Sequence, residues 1–219
     1  MKVILDCDGV IFDSNRLKSD AFRLVLAARF DDSVVDAFID HHQRNGGVSR
    51  FVKFRRLYTD ILQRPEDEVE IPRMLGEFSA RCLDLYAGCS LTDGAHEALL
   101  ELARRHVLFV ASGSDEAELR QVMKGRGLEQ VFAGIFGSPR PKVECVACAL
   151  AAAPGNAPAV MVGDAAMDVR AAKENGIPCI VMPTYSDDPE GLLALAEREG
   201  CRTIRRLTEL EGVLGNRAS

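Results

Sequence analysis

The chain has 219 residues, 47% of them hydrophobic and 27% charged, which suits one large domain or a core domain with an insertion and sets aside disorder. A net charge of -6 and a sequence pI near 5.3 argue against a nucleic-acid binder, which shows a basic surplus. No apolar run approaches the roughly 20 residues that span a bilayer, and no signal-peptide pattern opens the chain. The expectation is a soluble, cytoplasmic monomer or homodimer with no nucleic-acid or membrane partner.

Residues 2 to 6 are β-branched and continuous enough for a central parallel strand covered on both faces. The run ends in Asp6-Cys7-Asp8-Gly9. Alternate strand residues share a face, so the carboxylates of Asp6 and Asp8 converge and repel while Cys7 points the other way. A cation, a raised pKa or an intervening turn relieves that repulsion. Gly9 lets the chain leave the strand in a conformation closed to other residues.

From Ser14 to about Tyr86 the texture changes, with no strand-like run and apolar residues at helical spacing. Ala21-Phe22-Val25-Leu26, Val34-Val35-Phe38-Ile39, Phe51-Phe54-Leu57-Tyr58-Ile61 and Met74-Leu75-Phe78-Cys82-Leu85 predict four helices. Such a set makes a small bundle with its own core, an insertion over residues 15–86. After Gly88 helices and strands alternate. Helices are expected over 93–105, 115–125, 142–152, 167–175 and 190–199, and strands at Val107–Ala111, near Ile135, at Ala159–Val162 and at Cys179–Val181. The alternation predicts an α/β fold, a three-layer Rossmann-like parallel sheet built from residues 1–14 and 87–219. The seven cysteines lack zinc-site spacing and read as reduced thiols.

Ligands bind such sheets beyond the carboxyl ends of the strands. The second strand leads into Ser112-Gly113-Ser114-Asp115 at a helix N-terminus, a natural anion site, with Ser114 as N-cap and Ser112 free for a ligand. Lys142 opens the helix after the third strand, where a cation opposes the helix dipole unless anions face it. The fourth strand ends in Gly163-Asp164 with Asp168 four residues on. Carboxylates meeting at one edge call for a hard divalent cation, Mg²⁺ in preference to zinc, together with the lysine. A carboxylate nucleophile, a second carboxyl group for protons, a metal and a lysine are the parts of phosphoryl transfer.

The ordered set Asp6-x-Asp8-Gly9-Val10, Ser112-Gly113, Lys142 and Gly163-Asp164 with Asp168 resembles the haloacid dehalogenase superfamily, specifically its phosphatases with a helical cap inserted after the first motif. The resemblance implies Asp6 as nucleophile and Asp8 as general acid and then base. It implies Ser112 and Gly113 as phosphate holders and Lys142 as a bridge between phosphate and Asp6. Asp6, the Asp8 carbonyl, Asp164 and Asp168 would hold Mg²⁺. Lysine commonly precedes proline in the third motif of this family, whereas here Pro141 precedes Lys142, which leaves Arg140 as the alternative. An acid at Asp8 favours phosphate esters over the dehalogenase, phosphonate and transport chemistries of the superfamily. The expected function is therefore a Mg²⁺-dependent phosphatase for a small phosphate monoester such as a sugar phosphate. The alternatives are a hexose-phosphate mutase, whose caps resemble Gly47-Val48-Ser49-Arg50, and a catalytically silent binding module.

Caps of this kind choose the substrate. Arg50 and Lys53 lie three apart on one helix face and are expected to contact it, as is Asn15 at the hinge. His41 and His42 are expected at the surface.

Overall fold

The computed structural model describes residues 1–153, 155 and 157–215. Six parallel strands form one sheet: β1 (Lys2–Leu5), β2 (Val107–Asp115), β3 (Gly134–Ser138), β4 (Ala159–Gly163), β5 (Cys179–Val181) and β6 (Arg202–Thr203), in the order β3-β2-β1-β4-β5-β6. β1 is central, with Leu5 level with Val110 of β2 on one side and Val162 of β4 on the other. That register brings the segments after β1, β2 and β4 to one edge.

Every residue of β1 is buried, as its β-branched run requires when both faces of a sheet are covered. Val3, Leu5 and Cys7 face one apolar cluster. Ile4 packs on the other face with Phe109 and Met161 and with Cys145, Val146 and Ala149 of α7 (Lys142–Ala152) and Val169 of α8 (Ala166–Glu174). The remaining helices of the alternating part are α5 (Ala95–Arg105), α6 (Glu116–Gly125), α9 (Pro189–Glu199) and α10 (Leu210–Gly215).

Between β1 and β2 the chain makes the four expected helices, α1 (Asn15–Ala27), α2 (Asp32–Arg44), α3 (Arg50–Arg56) and α4 (Glu70–Gly88). A π-helical turn, Leu57–Ile61, prolongs α3. Phe22, Phe38, Phe54 and Phe78 interlock at their centre, with Phe22 stacked on Phe78 at a centroid separation of 3.8 Å. The expectation of a self-contained core in this part is corrected here. These aromatics belong to the same continuous cluster as Val3, Leu5 and Cys7 of the sheet, because Phe12 and Tyr86 pack edge to face where the chain leaves and re-enters the sheet.

β2 runs four residues beyond the strand expected from its apolar residues and carries a register irregularity against β3 between Ala111 and Asp115. The N-cap of α6 is in consequence Asp115, not Ser114, and its carboxylate accepts from the N–H groups of Ala117 and Glu118. No described helix is long and apolar enough to cross a membrane.

Candidate active site

Asp6 stands one residue beyond β1 and is only 3% exposed. Its Oδ1 accepts from the backbone N–H of Cys7 at 2.7 Å and its Oδ2 from Lys142 Nζ at 2.6 Å. The same ammonium donates to Asp168 Oδ1 at 2.7 Å, while Asp168 Oδ2 accepts from the N–H of Ala165 at 3.1 Å. Asp168 thus caps the start of α8 and orients the lysine at once. The first-turn position of Lys142, awkward for the helix dipole, is explained by the carboxylates on either side of it. Arg140 lies outside this cluster, half exposed and directed at Glu116.

Asp6, Asp164 and Asp168 each offer a carboxylate oxygen within 4.8 Å of the others, and all three are buried. Burial, followed by the neighbouring carboxylates Asp168 and Asp8, pushes Asp6 up to about 7 against the pull of Lys142. Burial and the charges of Asp6 and Asp168 raise Asp164 well above the usual carboxylate range. For Lys142 burial opposes the charge, but Asp168 and Asp6 outweigh it and hold the ammonium protonated. Three buried carboxylates against one ammonium leave the cluster short of positive charge. Its all-oxygen donor set fits a hard divalent cation.

Asp164 is positioned from the hinge: Asn15 Nδ2 donates to its Oδ2 at 2.6 Å and to the carbonyl of Tyr185 at 2.8 Å. Gly9 makes this packing possible. Its φ is +71°, and a Cβ there would overlap both the Asp164 carboxylate and the Asn15 amide.

Asp8 is surrounded by donors, of which only Ser114 lies in a motif segment of the sequence. Its Oδ1 accepts from Ser14 Oγ at 2.5 Å and Tyr86 OH at 2.6 Å, and its Oδ2 from Lys18 Nζ at 2.5 Å and Ser114 Oγ at 2.8 Å. Burial alone would raise this carboxyl, but the Lys18 charge and the hydrogen bonds of Lys18, Ser14 and Tyr86 outweigh it and hold Asp8 ionised well below the usual range. Lys18, Ser114 and Tyr86 bridge α1, β2 and α4 through this one carboxylate. A signal was present in the sequence. Lys18 occupies the Ala21-Phe22-Val25-Leu26 stripe of α1, and a cation on a buried stripe needs a buried anion.

The helical insertion is closed over this edge. The loop Gly46-Gly47-Val48 lies so close that a Cβ on Gly113 would overlap the Gly47 carbonyl, and one on Gly47 would sit 3.0 Å from Lys142 Nζ and from Met167 Cβ. The cavity left beneath is lined by Asp6, Asp8, Lys18, Ser112, Gly113 and Asp164 below and by His42, Lys53 and Phe78 above. A third wall, Ser186-Asp187-Asp188, comes from the loop after β5 and had no motif to announce it.

Two roof residues differ in surroundings from what their sequence suggests. Arg50 lines the cavity and is also engaged within the protein: its guanidinium makes a bidentate pair with Glu118 of α6 at 2.7 Å, donates to Ser79 Oγ at 3.1 Å and lies over the Phe78 ring. Arg50 sits on the same helical stripe as Phe54 and Leu57, so burial and a buried partner follow. His42 is buried rather than on the surface, because the α2 stripe Val35-Phe38-Ile39 continues onto it. Its Nδ1 lies 2.6 Å from Lys53 Nζ.

The chain is similar in sequence and fold to known proteins. Residues 3–176 match the haloacid dehalogenase-like hydrolase family. A phosphoglycolate phosphatase of Rhodospirillum rubrum is 27% identical over 199 residues, covering 85% of this chain and 81% of that protein. The fold is shared with a hydrolase from Pseudomonas syringae (TM-score 0.79, 19% identity, 100% and 99% of the two chains covered). It is shared as well with CbbY from Rhodobacter sphaeroides, solved in complex with phosphate (TM-score 0.71, 21% identity, 95% of each chain covered). With the family match spanning most of its length and the motif carboxylates gathered at one sheet edge, the chain belongs to the haloacid dehalogenase-like hydrolases and is an enzyme of the phosphatase kind.

Proposed function

We propose that the chain hydrolyses a small organic phosphate monoester with Mg²⁺, through an aspartyl-phosphate on Asp6, residues 15–86 serving as a cap over a core of residues 1–14 and 87–219. The observation that carries this reading is the Lys142 ammonium shared between Asp6 and Asp168 beside Asp164. It leaves Asp6 oriented and buried, and it provides a fixed positive charge where phosphate oxygens arrive. The Rhodospirillum relative named for phosphoglycolate and the phosphate held by CbbY agree with a phosphorylated substrate.

In the first half-reaction an Asp6 oxygen attacks phosphorus and the P–O bond to the alcohol breaks, the leaving oxygen taking a proton from the Asp8 carboxyl. In the second, Asp8 takes a proton from water, water attacks the phosphoryl group, and inorganic phosphate leaves with Asp6 restored. Asp8 is held here as a carboxylate, the form that serves as base; donation requires it first to take up a proton. Ser112 and the Gly113 N–H hold phosphate oxygens together with Lys142. Asp6, the Asp8 carbonyl and Asp164 would hold Mg²⁺, with Asp168 completing the set or acting through Lys142, and the cation would neutralise charge on the phosphoryl oxygens. The mutase alternative shares the Asp6 and Asp8 pair and rests further on the resemblance at Gly47-Val48-Ser49-Arg50.

Release of inorganic phosphate from a panel of phosphorylated metabolites, with Mg²⁺ and with a chelator, tests the reaction. Stoichiometric phosphate identifies a hydrolase; an isomeric ester without release identifies a mutase. Asp6→Asn is expected to lower turnover by about a thousandfold or more in a protein that stays folded. Retained turnover would falsify the covalent route.

A further inference from the structure

We infer that Lys53 and His42 form a second anion-recognition point in the cavity roof, so that the substrate is a small phosphate monoester bearing another anionic group, a carboxylate or a second phosphate. The inference rests on the phosphatase reading above and names the substrate class that reading leaves open.

Each of the other buried cations of this site has a carboxylate partner: Lys18 has Asp8, Arg50 has Glu118, and Lys142 has Asp6 and Asp168. Lys53 is 2% exposed, lines the cavity and has no carboxylate within ion-pair distance among the described residues. Its ammonium is held by His42 alone, at 2.6 Å from Nδ1 and 3.3 Å from the backbone carbonyl. An ammonium can only donate, so Nδ1 must accept and the His42 proton sits on Nε2. That Nε2 is buried without a partner, in a side chain 6% exposed that also lines the cavity.

The roof therefore presents an ammonium without a counterion beside an N–H without an acceptor. Burying either is costly unless something occupies the cavity that accepts hydrogen bonds and carries negative charge. Burial, and then the nearby Lys18, lower Lys53 to about 7, which an arriving anion reverses. Burial and Lys53 keep His42 neutral. Asp187 on the third wall and Asp8 below act on Lys53 in the opposite direction, both from beyond ion-pair distance. Lys53 lines the same cavity as Asp6, Ser112 and Gly113, so one ligand can meet the phosphate end and the roof point together. Arg50, the other expected substrate contact of the cap, lines the same cavity but carries Glu118 as its counterion, whereas Lys53 has no carboxylate at ion-pair distance among the described residues.

The test compares three esters on the full chain with Mg²⁺: ethyl phosphate, 2-phosphoglycolate and ethylene glycol bisphosphate. A preference of about tenfold or more in kcat/KM for one or both doubly anionic esters over ethyl phosphate, expressed mainly in KM, is expected. Which of the two is preferred identifies the second anion as carboxylate or phosphate. Lys53→Met should reduce that preference to within about threefold, and Lys53→Gln provides the same reading with a polar replacement. Loss spread equally over the three esters, or no preference in the unaltered protein, overturns the anion point while the phosphatase reading stands. If none of the esters nor an aryl phosphate is turned over, the phosphatase reading falls and the anion point with it.

Discussion

Lys18 shows how one side chain sets the charge of another. Without its ammonium, burial is opposed at Asp8 only by neutral hydrogen-bond donors such as Ser14 and Tyr86, and the carboxyl rises from its low position. Lys18→Met keeps the apolar stem and removes the charge, and is expected to shift the Asp8 titration upward by about one to three units. Carbon-13 NMR of the carboxyl measures this directly; an Asp8 titration that does not move would show that Ser14, Tyr86 and Ser114 hold the charge alone. Asp6, Asp164 and Lys142 were legible because their residue types fall at strand and helix ends in one order along the chain. Lys18, Tyr86 and Ser114 were not, since each reads locally as ordinary helix or turn material. Only their meeting on one carboxylate gives them a role.

At the scale of elements, α3 is tied to α6 by the buried bidentate pair of Arg50 and Glu118, an electrostatic link between insertion and sheet layer. Arg50→Ala leaves the Glu118 carboxylate buried and alone, at a cost of about 3 kcal/mol. For a chain of this size that lowers Tm by roughly 6–12 °C, measurable by calorimetry. The double replacement Arg50→Met with Glu118→Leu should recover most of the loss, since removing both charges removes the desolvation penalty as well. A double variant as unstable as the single one would show that Arg50 contributes through its packing on Phe78. The helices themselves were legible from apolar spacing, and α7 has the expected bounds, Lys142–Ala152. The end of β2 was not, because Ser112-Gly113-Ser114 has turn composition and is carried in the strand only by the pairing of Ala111 and Asp115 on either side of it with Phe136 and Ser138 of β3.

For the whole molecule the acidic cluster couples stability to pH and to metal. The Asp6 carboxyl titrates at about 7 when folded against 3.8 unfolded, so between these values the folded form binds the extra proton. Stability of the metal-free protein is therefore expected to fall as pH rises through that window, with the elevated Asp164 adding in the same direction. Mg²⁺ binds the ionised carboxylates, so its stabilising effect should be larger at about pH 8 than at about pH 5. Thermal melts with and without the ion at both pH values check this; an equal gain at both would place the ion elsewhere. The sequence by itself determined the parallel α/β sheet, the helical insertion after the first strand and the acidic edge, because periodicity and the residues that end each element are local properties. Tertiary structure alone decided which buried cations lining the site cavity are neutralised within the protein and which has no carboxylate partner among the described residues. Arg50 and Lys53 share a helix face and a charge, and they part only because Glu118 lies opposite one and His42 opposite the other.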